Sequence, residues 1–100
     1  MEKFIKYNKL FDCYGKLLTE NEKSCFVLYY EEDLSLQEIA ENNNVGRSAV
    51  HKTIKNVEEK LEFYEKKLKL CNMLDRLKKI DNLNDIDKIK KEISEILKNI

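Results

Sequence analysis

The segment from residue 42 to residue 57 carries the side chains best suited to chemistry. It contains three basic residues and no acidic residue, a net charge of +3, whereas residues 1–41 carry five basic and nine acidic residues. Helical spacing would place its polar side chains opposite an apolar stripe formed by Ala49, Val50 and Ile54. The polar set is Arg47, Ser48, His51, Lys52 and Lys55. Because arginine can bond a guanine edge bidentately and lysine suits phosphates, this set predicts nucleic-acid binding.

A sixth candidate, Gln37, lies near the start of the preceding predicted helix, where backbone phosphates are usually met in such folds. Each candidate also has a simpler interpretation. The basic residues are also compatible with a solvated helix face, and a single histidine is commonly a surface residue. Sixteen residues without an acid can also arise by chance. The pattern therefore favours a nucleic-acid interface without excluding a purely structural helix.

Other chemistries find little support in the sequence. The only histidine, His51, lies in the proposed interface, and the chain has no glycine-rich phosphate loop and no distinctive carboxylate pair. Cys13, Cys25 and Cys71 are widely spaced and lack C-x-x-C pairing, so no zinc site is expected. We therefore expect a non-enzymatic protein with no catalytic residues, no metal and no cofactor.

Composition indicates a small helical domain. The 100 residues include 42% hydrophobic and 38% charged side chains, two glycines and no proline, which suits helices and leaves little material for hairpins. The net charge of zero argues against a general, charge-driven attraction to nucleic acid or anionic lipid. We find neither a signal-peptide pattern nor a run of roughly 18 apolar residues. These features predict a cytoplasmic protein without membrane contact.

The elements that would position the candidate residues follow from local signals. Apolar spacing predicts a first helix over about residues 3–17 and a last helix beginning after a cap at Asn84 or Asp85. Two capping boxes, Thr19 to Glu22 and Ser35 to Glu38, predict the starts of two helices between them. A turn through residues 42–46 would follow, with Asn44 in the left-handed conformation and Gly46 as the next N-cap.

A long fourth helix then continues to Leu68 or beyond, with a possible break near Asn72. A short helix, a tight turn and a longer helix form a helix-turn-helix, here spanning about Leu36 to Val57. Ala40 would allow the two helices to cross closely, and Ile39, Val45 and Val50 would fix the crossing angle. The predicted fold class is all-α, with a helix-turn-helix domain over 1–70 and a helical extension over 71–100.

Several blocks of sequence, in this order and spacing, resemble the YlxM family of small bacterial helix-turn-helix proteins. They are Leu18-Thr19, Leu28-Tyr29-Tyr30, the run from Asp33 to Ala40, Arg47-Ser48-Ala49-Val50, and the run from Leu61 to Leu68. The resemblance covers roughly residues 5–72 and implies a fold like region 4 of sigma factors. It also implies a role in the signal recognition particle pathway. The sequence departs from the family pattern at Asn43, where a large apolar residue is usual, at Asn44, usually Gly, and at Gly46, usually Ser.

Two functions are therefore predicted. The first is a nucleic-acid-binding regulator whose partner is duplex DNA, or RNA, acting as a homodimer through the fourth and last helices. The second is a protein-binding accessory of the signal recognition particle, in which the helix-turn-helix is only a scaffold. In that case the acidic run at residues 31–33 or the C-terminal extension would make the contact.

Overall fold

The computed structural model describes residues 2–99, which form six α-helices and no β-strand. The predicted all-α fold is confirmed. The helices are α1 (Glu2–Tyr14), α2 (Glu20–Phe26), α3 (Leu36–Asn43), α4 (Arg47–Leu68), α5 (Leu70–Asp81) and α6 (Ile86–Lys98). A 3-10 turn (Gly15–Leu17) follows α1, and a π-helical stretch (Val27–Glu31) extends α2. No helix within residues 2–99 is long and apolar enough to cross a membrane.

Both predicted capping boxes are present. The Thr19 hydroxyl accepts from the backbone N–H of Glu22 at 3.2 Å, and the Glu22 carboxylate accepts from the backbone N–H of Thr19 at 2.9 Å. Ser35 and Glu38 make the same pair of bonds at 3.1 and 3.0 Å. Because each box satisfies N–H groups that lack helical partners, the starts of α2 and α3 are fixed locally.

The first helix ends earlier than its apolar spacing predicted. It stops at Tyr14, and the last predicted turn is the 3-10 turn. Gly15 is buried beneath the ring of Phe11, and a Cβ atom at this position would lie 3.1 Å from that ring. Phe11 in turn stacks on Phe26 with 4.2 Å between ring centroids. Glycine thus lets the chain pass close to an aromatic stack that joins α1 to α2.

The first compact unit ends at Leu68 and has α4 at its centre. Helices α1, α2 and α3 all pack against α4. The largest fully buried side chains come from all four helices: Tyr14, Phe26, Ile39, Val50, Val57 and Leu61. Since burial of one large apolar side chain contributes roughly 1.5–3 kcal/mol, this shared core sets the position of α4.

A second compact unit begins at Lys69. Lys69 adopts the left-handed conformation (φ 55°, ψ 30°) and separates α4 from α5. The sequence placed a break three residues later, near Asn72, and did not predict a separate α5. The second unit is a hairpin of α5 and α6. Asp85 caps α6 by accepting from the backbone N–H groups of residues 87 and 88 at 2.9 and 3.2 Å, as one of the two predicted caps.

Candidate nucleic-acid interface

The turn between α3 and α4 has the geometry of a helix-turn-helix. Asn44 ends α3 in the left-handed conformation (φ 54°, ψ 44°), and the next backbone N–H, of Val45, donates to Ala40 O at 3.0 Å. The carbonyl of Gly46 accepts from the N–H groups of Ala49 and Val50 at 3.1 and 3.3 Å, so α4 begins directly after Gly46. The conformation predicted for Asn44 and the start of the helix after Gly46 are confirmed.

The crossing of α3 and α4 is close because small and branched residues fill it. Ala40 and Ile39 on α3 are buried, as are Val50 and Ile54 on α4. The predicted contact of Val45 at this crossing is wrong, since 48% of its surface is exposed.

Asn43 instead points inward at the turn. Its Nδ2 lies 3.9 Å from Sγ of buried Cys25, a weak hydrogen bond. Val45 and Ala49 line a cavity of about 170 Å³ beside it. Ala49, predicted to face inward, is also exposed. The polar residue at position 43 therefore leaves an incompletely filled space where an apolar side chain would pack.

The five candidate residues of α4 are all exposed: Arg47, Ser48, His51, Lys52 and Lys55. Ser48, Lys52 and Lys55 follow each other at helical spacings of four and three, with Arg47 and His51 beside them, so one side of α4 carries the whole set. We call this set the reading face. Its three cations form no ion pair with a carboxylate of residues 2–99. They are therefore free to meet an anion.

Gln37 lies on another helix, α3, and is engaged locally. It is exposed, and its Nε2 donates to Glu41 Oε1 at 3.2 Å. Glu38 on the same helix is also exposed, and hydrogen bonds from the Ser35 backbone and hydroxyl lower its pKa. Because its lowered pKa keeps Glu38 ionised at neutral pH, α3 presents negative charge close to Gln37. This environment weakens the case for Gln37 as a phosphate contact.

The second half of α4 carries residues that the sequence analysis missed. Three of its glutamates accept hydrogen bonds from tyrosine hydroxyls: Glu58 from Tyr30, Glu62 from Tyr7 at 2.9 Å, and Glu65 from Tyr14 at 2.5 Å. We call these three bonds the tyrosine–glutamate ladder. The spacing of four and three between the glutamates, and of seven between the two α1 tyrosines, was visible in the sequence. It was not recognised because charged residues at such spacing usually form a solvated face.

Cations complete the attachment of α4. Lys3 lies 3.4 Å from Glu58, and Lys60 lies 2.7 Å from Glu22, the residue that also closes the first capping box. Burial opposes ionisation of Glu22, but the bonds from Lys60 and Thr19 outweigh it and lower its pKa. The start of α2 and the middle of α4 are therefore joined through one carboxylate.

Two tyrosines of the ladder, Tyr7 and Tyr30, are held in their neutral form. Burial, followed by the hydrogen bond to Glu62, raises the pKa of Tyr7 to about 12. Burial and the bond to Glu58 likewise raise the pKa of Tyr30. Because a neutral hydroxyl is the donor in these bonds, Tyr7 and Tyr30 remain donors throughout the physiological pH range. Its role is to hold α4 while the reading face stays open.

Comparison with known proteins agrees with this geometry. Residues 1–100 match UPF0122, a family described as "Putative helix-turn-helix protein, YlxM / p13 like". A UPF0122 protein of Desulforamulus reducens is 54% identical over 72 residues, which is 72% of this chain and 62% of that protein. One from Clostridium perfringens is 40% identical over an alignment of 109 positions covering all of this chain and 97% of the relative. One from Bacillus licheniformis is 49% identical over 80% of this chain and 75% of the relative. The predicted resemblance is confirmed, and the chain belongs to the UPF0122 family of YlxM-like helix-turn-helix proteins.

Proposed function

We propose that this protein is a regulator that binds duplex DNA through the reading face of α4. One observation carries the proposal: five polar or basic side chains at the start of the second motif helix are exposed, and the three cations among them are unpaired within residues 2–99. In helix-turn-helix proteins the first turns of this helix enter the major groove. Cations at the start of this helix that form no ion pair within residues 2–99 suit an external anionic ligand.

The members of the reading face suit different roles. Arg47, on the first turn, is the residue suited to bidentate bonding with guanine, and Lys52 and Lys55 suit phosphates. Ser48 and His51 lie between them and can donate or accept at a base or a phosphate.

The apolar residues that the fold leaves exposed also suit a DNA groove. Val45 and Ala49 lie next to the reading face and are exposed. Apolar side chains at the start of a reading helix can contact the methyl group of thymine. Their unexpected exposure is therefore compatible with base recognition.

Affinity should be modest for a single chain. Three cations predict a slope of about −2.7 in log K against log salt, since each neutralised phosphate contributes about −0.9. A homodimer would double the contacts and read two half-sites about 34 Å apart. Exposed apolar residues on α4 and on α6 supply candidate surfaces: Phe63, Leu68, Ile86, Ile93 and Leu97.

A titration with matched variants tests the proposal. Fluorescence anisotropy with a pool of 20-base-pair duplexes, at two salt concentrations, should show binding that falls at least tenfold in the double variant Arg47→Ala/Lys52→Ala. The control, Lys16→Ala/Lys66→Ala, also removes two exposed cations that are unpaired within residues 2–99 and should keep the wild-type affinity. No binding by the wild type at low salt, or equal losses in both variants, would refute the proposal.

A role in the signal recognition particle pathway is the second candidate, suggested by the family resemblance. The carboxylates of Glu31, Glu32 and Asp33 are exposed and form no ion pair within residues 2–99, so they form an edge suited to a basic partner protein. A pull-down with the particle's GTPase and its RNA separates the two functions. Capture that survives Arg47→Ala/Lys52→Ala but is lost on neutralising the acidic edge would favour the protein-binding role. Capture of the RNA that depends on Arg47 would instead indicate RNA as the ligand of the reading face.

A further inference from the structure

The hairpin of α5 and α6 contains a basic cleft that the helix-turn-helix does not use. Its volume is about 440 Å³, and its lining residues are Lys79, Leu83, Lys88, Lys91 and Glu92. Lys79 comes from the end of α5, Leu83 from the connecting loop, and the others from the first half of α6. Three lysines from two helices therefore converge on one space. We call it the lysine cleft.

Positive charge exceeds negative charge in this cleft. Within residues 2–99, none of Lys79, Lys88 and Lys91 forms an ion pair with a carboxylate. Glu92 is the single acid in the lining, so the cleft has a net charge of +2 (three positive, one negative). Like charges held together repel one another, and a bound anion would relieve that repulsion.

We propose that the lysine cleft binds a phosphate of the nucleic-acid backbone and so adds a second contact to the one made by the reading face. Lysine is a compact charge with three donors on a flexible stem, which suits phosphate oxygens approached from several directions. Leu83 offers an apolar surface that a backbone sugar can cover. The inference rests on the proposed function, and it raises the number of phosphates that one chain neutralises.

Salt dependence of DNA binding tests the inference on the full chain. The variant Lys88→Gln/Lys91→Gln removes two charges inside the cleft, and Lys78→Gln/Lys90→Gln removes two exposed charges of the same helices that do not line it. Each lost phosphate contact should reduce the magnitude of the slope of log K against log salt by about 0.9. For a variant that binds as well as the wild type at 1 M salt, this difference makes its binding about 8-fold weaker than that of the wild type at 0.1 M salt. We expect the cleft variant to lose one or two such contacts and the control to lose less than half of one.

A second readout separates failure of this inference from failure of the proposed function. Amide resonances of residues 79, 88 and 91 should shift saturably when the duplex is added, and should do so in Arg47→Gln/Lys52→Gln/Lys55→Gln, which lacks the charges of the reading face. Equal salt slopes in the two lysine variants, with DNA still bound, would overturn the lysine cleft and leave the reading face intact. Persistent shifts at the cleft, with no effect of the reading-face variant on affinity, would support the cleft and refute the reading face. Shifts produced by poly-glutamate but not by DNA would overturn the cleft as a phosphate site and indicate an acidic protein partner.

Discussion

The Tyr30 hydroxyl offers the sharpest test of how α4 is held. It donates to Oε2 of Glu58, and both residues are almost inaccessible, with 6% and 7% of their surfaces exposed. Tyr30→Phe removes the donor and leaves the ring in place between its aromatic neighbours. Within residues 2–99, the carboxylate of Glu58 then keeps one partner, the ammonium of Lys3 at 3.4 Å, whose side chain is about half exposed. Among these residues, the buried acceptor therefore loses its only buried donor.

The expected cost follows from this geometry. A hydrogen bond to a charged group contributes roughly 1.5–3 kcal/mol to stability. Because Lys3 still compensates part of the charge, we expect the free energy of unfolding to fall by about 2 kcal/mol. At roughly 4–8 °C per kcal/mol for a domain of this size, Tm should drop by about 8–16 °C. Urea unfolding at pH 7, followed by circular dichroism, measures the free-energy change.

The neighbouring residue provides the matched control. Tyr29 packs against Phe4 and Tyr30, but its hydroxyl makes no hydrogen bond within residues 2–99. Tyr29→Phe should therefore cost less than about 0.5 kcal/mol. A double-mutant cycle with Glu58→Gln should give a coupling energy of at least about 1 kcal/mol. Equal stability of the two Tyr→Phe variants, or a coupling energy near zero, would refute the reasoning.

Three further expectations concern pH and packing. The folded-state pKa of Tyr7 is raised to about 12, above its ordinary value of about 10. The stabilisation by its hydrogen bond is therefore complete below about pH 10 and is lost as pH rises through about 12. The stability difference between wild type and Tyr7→Phe should shrink from pH 9 to pH 12 in urea titrations. Lys60 and the capping bonds lower the pKa of Glu22, so the stability difference from Glu22→Gln should persist above about pH 5 and shrink as pH falls toward 3; a constant difference would contradict this. Asn43→Leu should fill part of the adjacent cavity and stabilise the protein by about 1 kcal/mol, whereas Asn42→Leu on the exposed side should give no gain in thermal unfolding.

Local signals in the sequence predicted the helix starts well. Thr19 and Ser35 satisfy nearby N–H groups within their own segments, and Asn44 takes a conformation that few residues tolerate. Such features depend on three or four neighbouring residues, so the sequence alone suffices. The exposure of the reading face was predictable for the same reason, because helical spacing alone places it opposite the buried Val50 and Ile54.

Features that depend on distant partners were not predicted. The apolar spacing runs evenly from Leu61 through Cys71, so nothing in the periodicity indicates the break at Lys69, and lysine is not a typical left-handed residue. Val45 was expected inside because its type is apolar, but Asn43 takes the inward place beside Cys25. The tyrosine–glutamate ladder joins residues 28 to 55 positions apart. Its existence depends on how α1 and α2 pack on α4.

The two halves of α4 differ in the contacts that their outward side chains make, and this difference has a consequence for engineering. Within residues 2–99, the outward side chains of its first ten residues form no ion pair with a carboxylate, while those from Glu58 onward hold it to α1 and to α2 with its π-helical extension. On the proposed function, DNA specificity therefore depends on the outward residues of the first half, whereas the polar attachment of α4 depends on the second half. A new set of outward residues at positions 47–55 could therefore be grafted without disturbing the hydrogen bonds and ion pairs made from Glu58 onward.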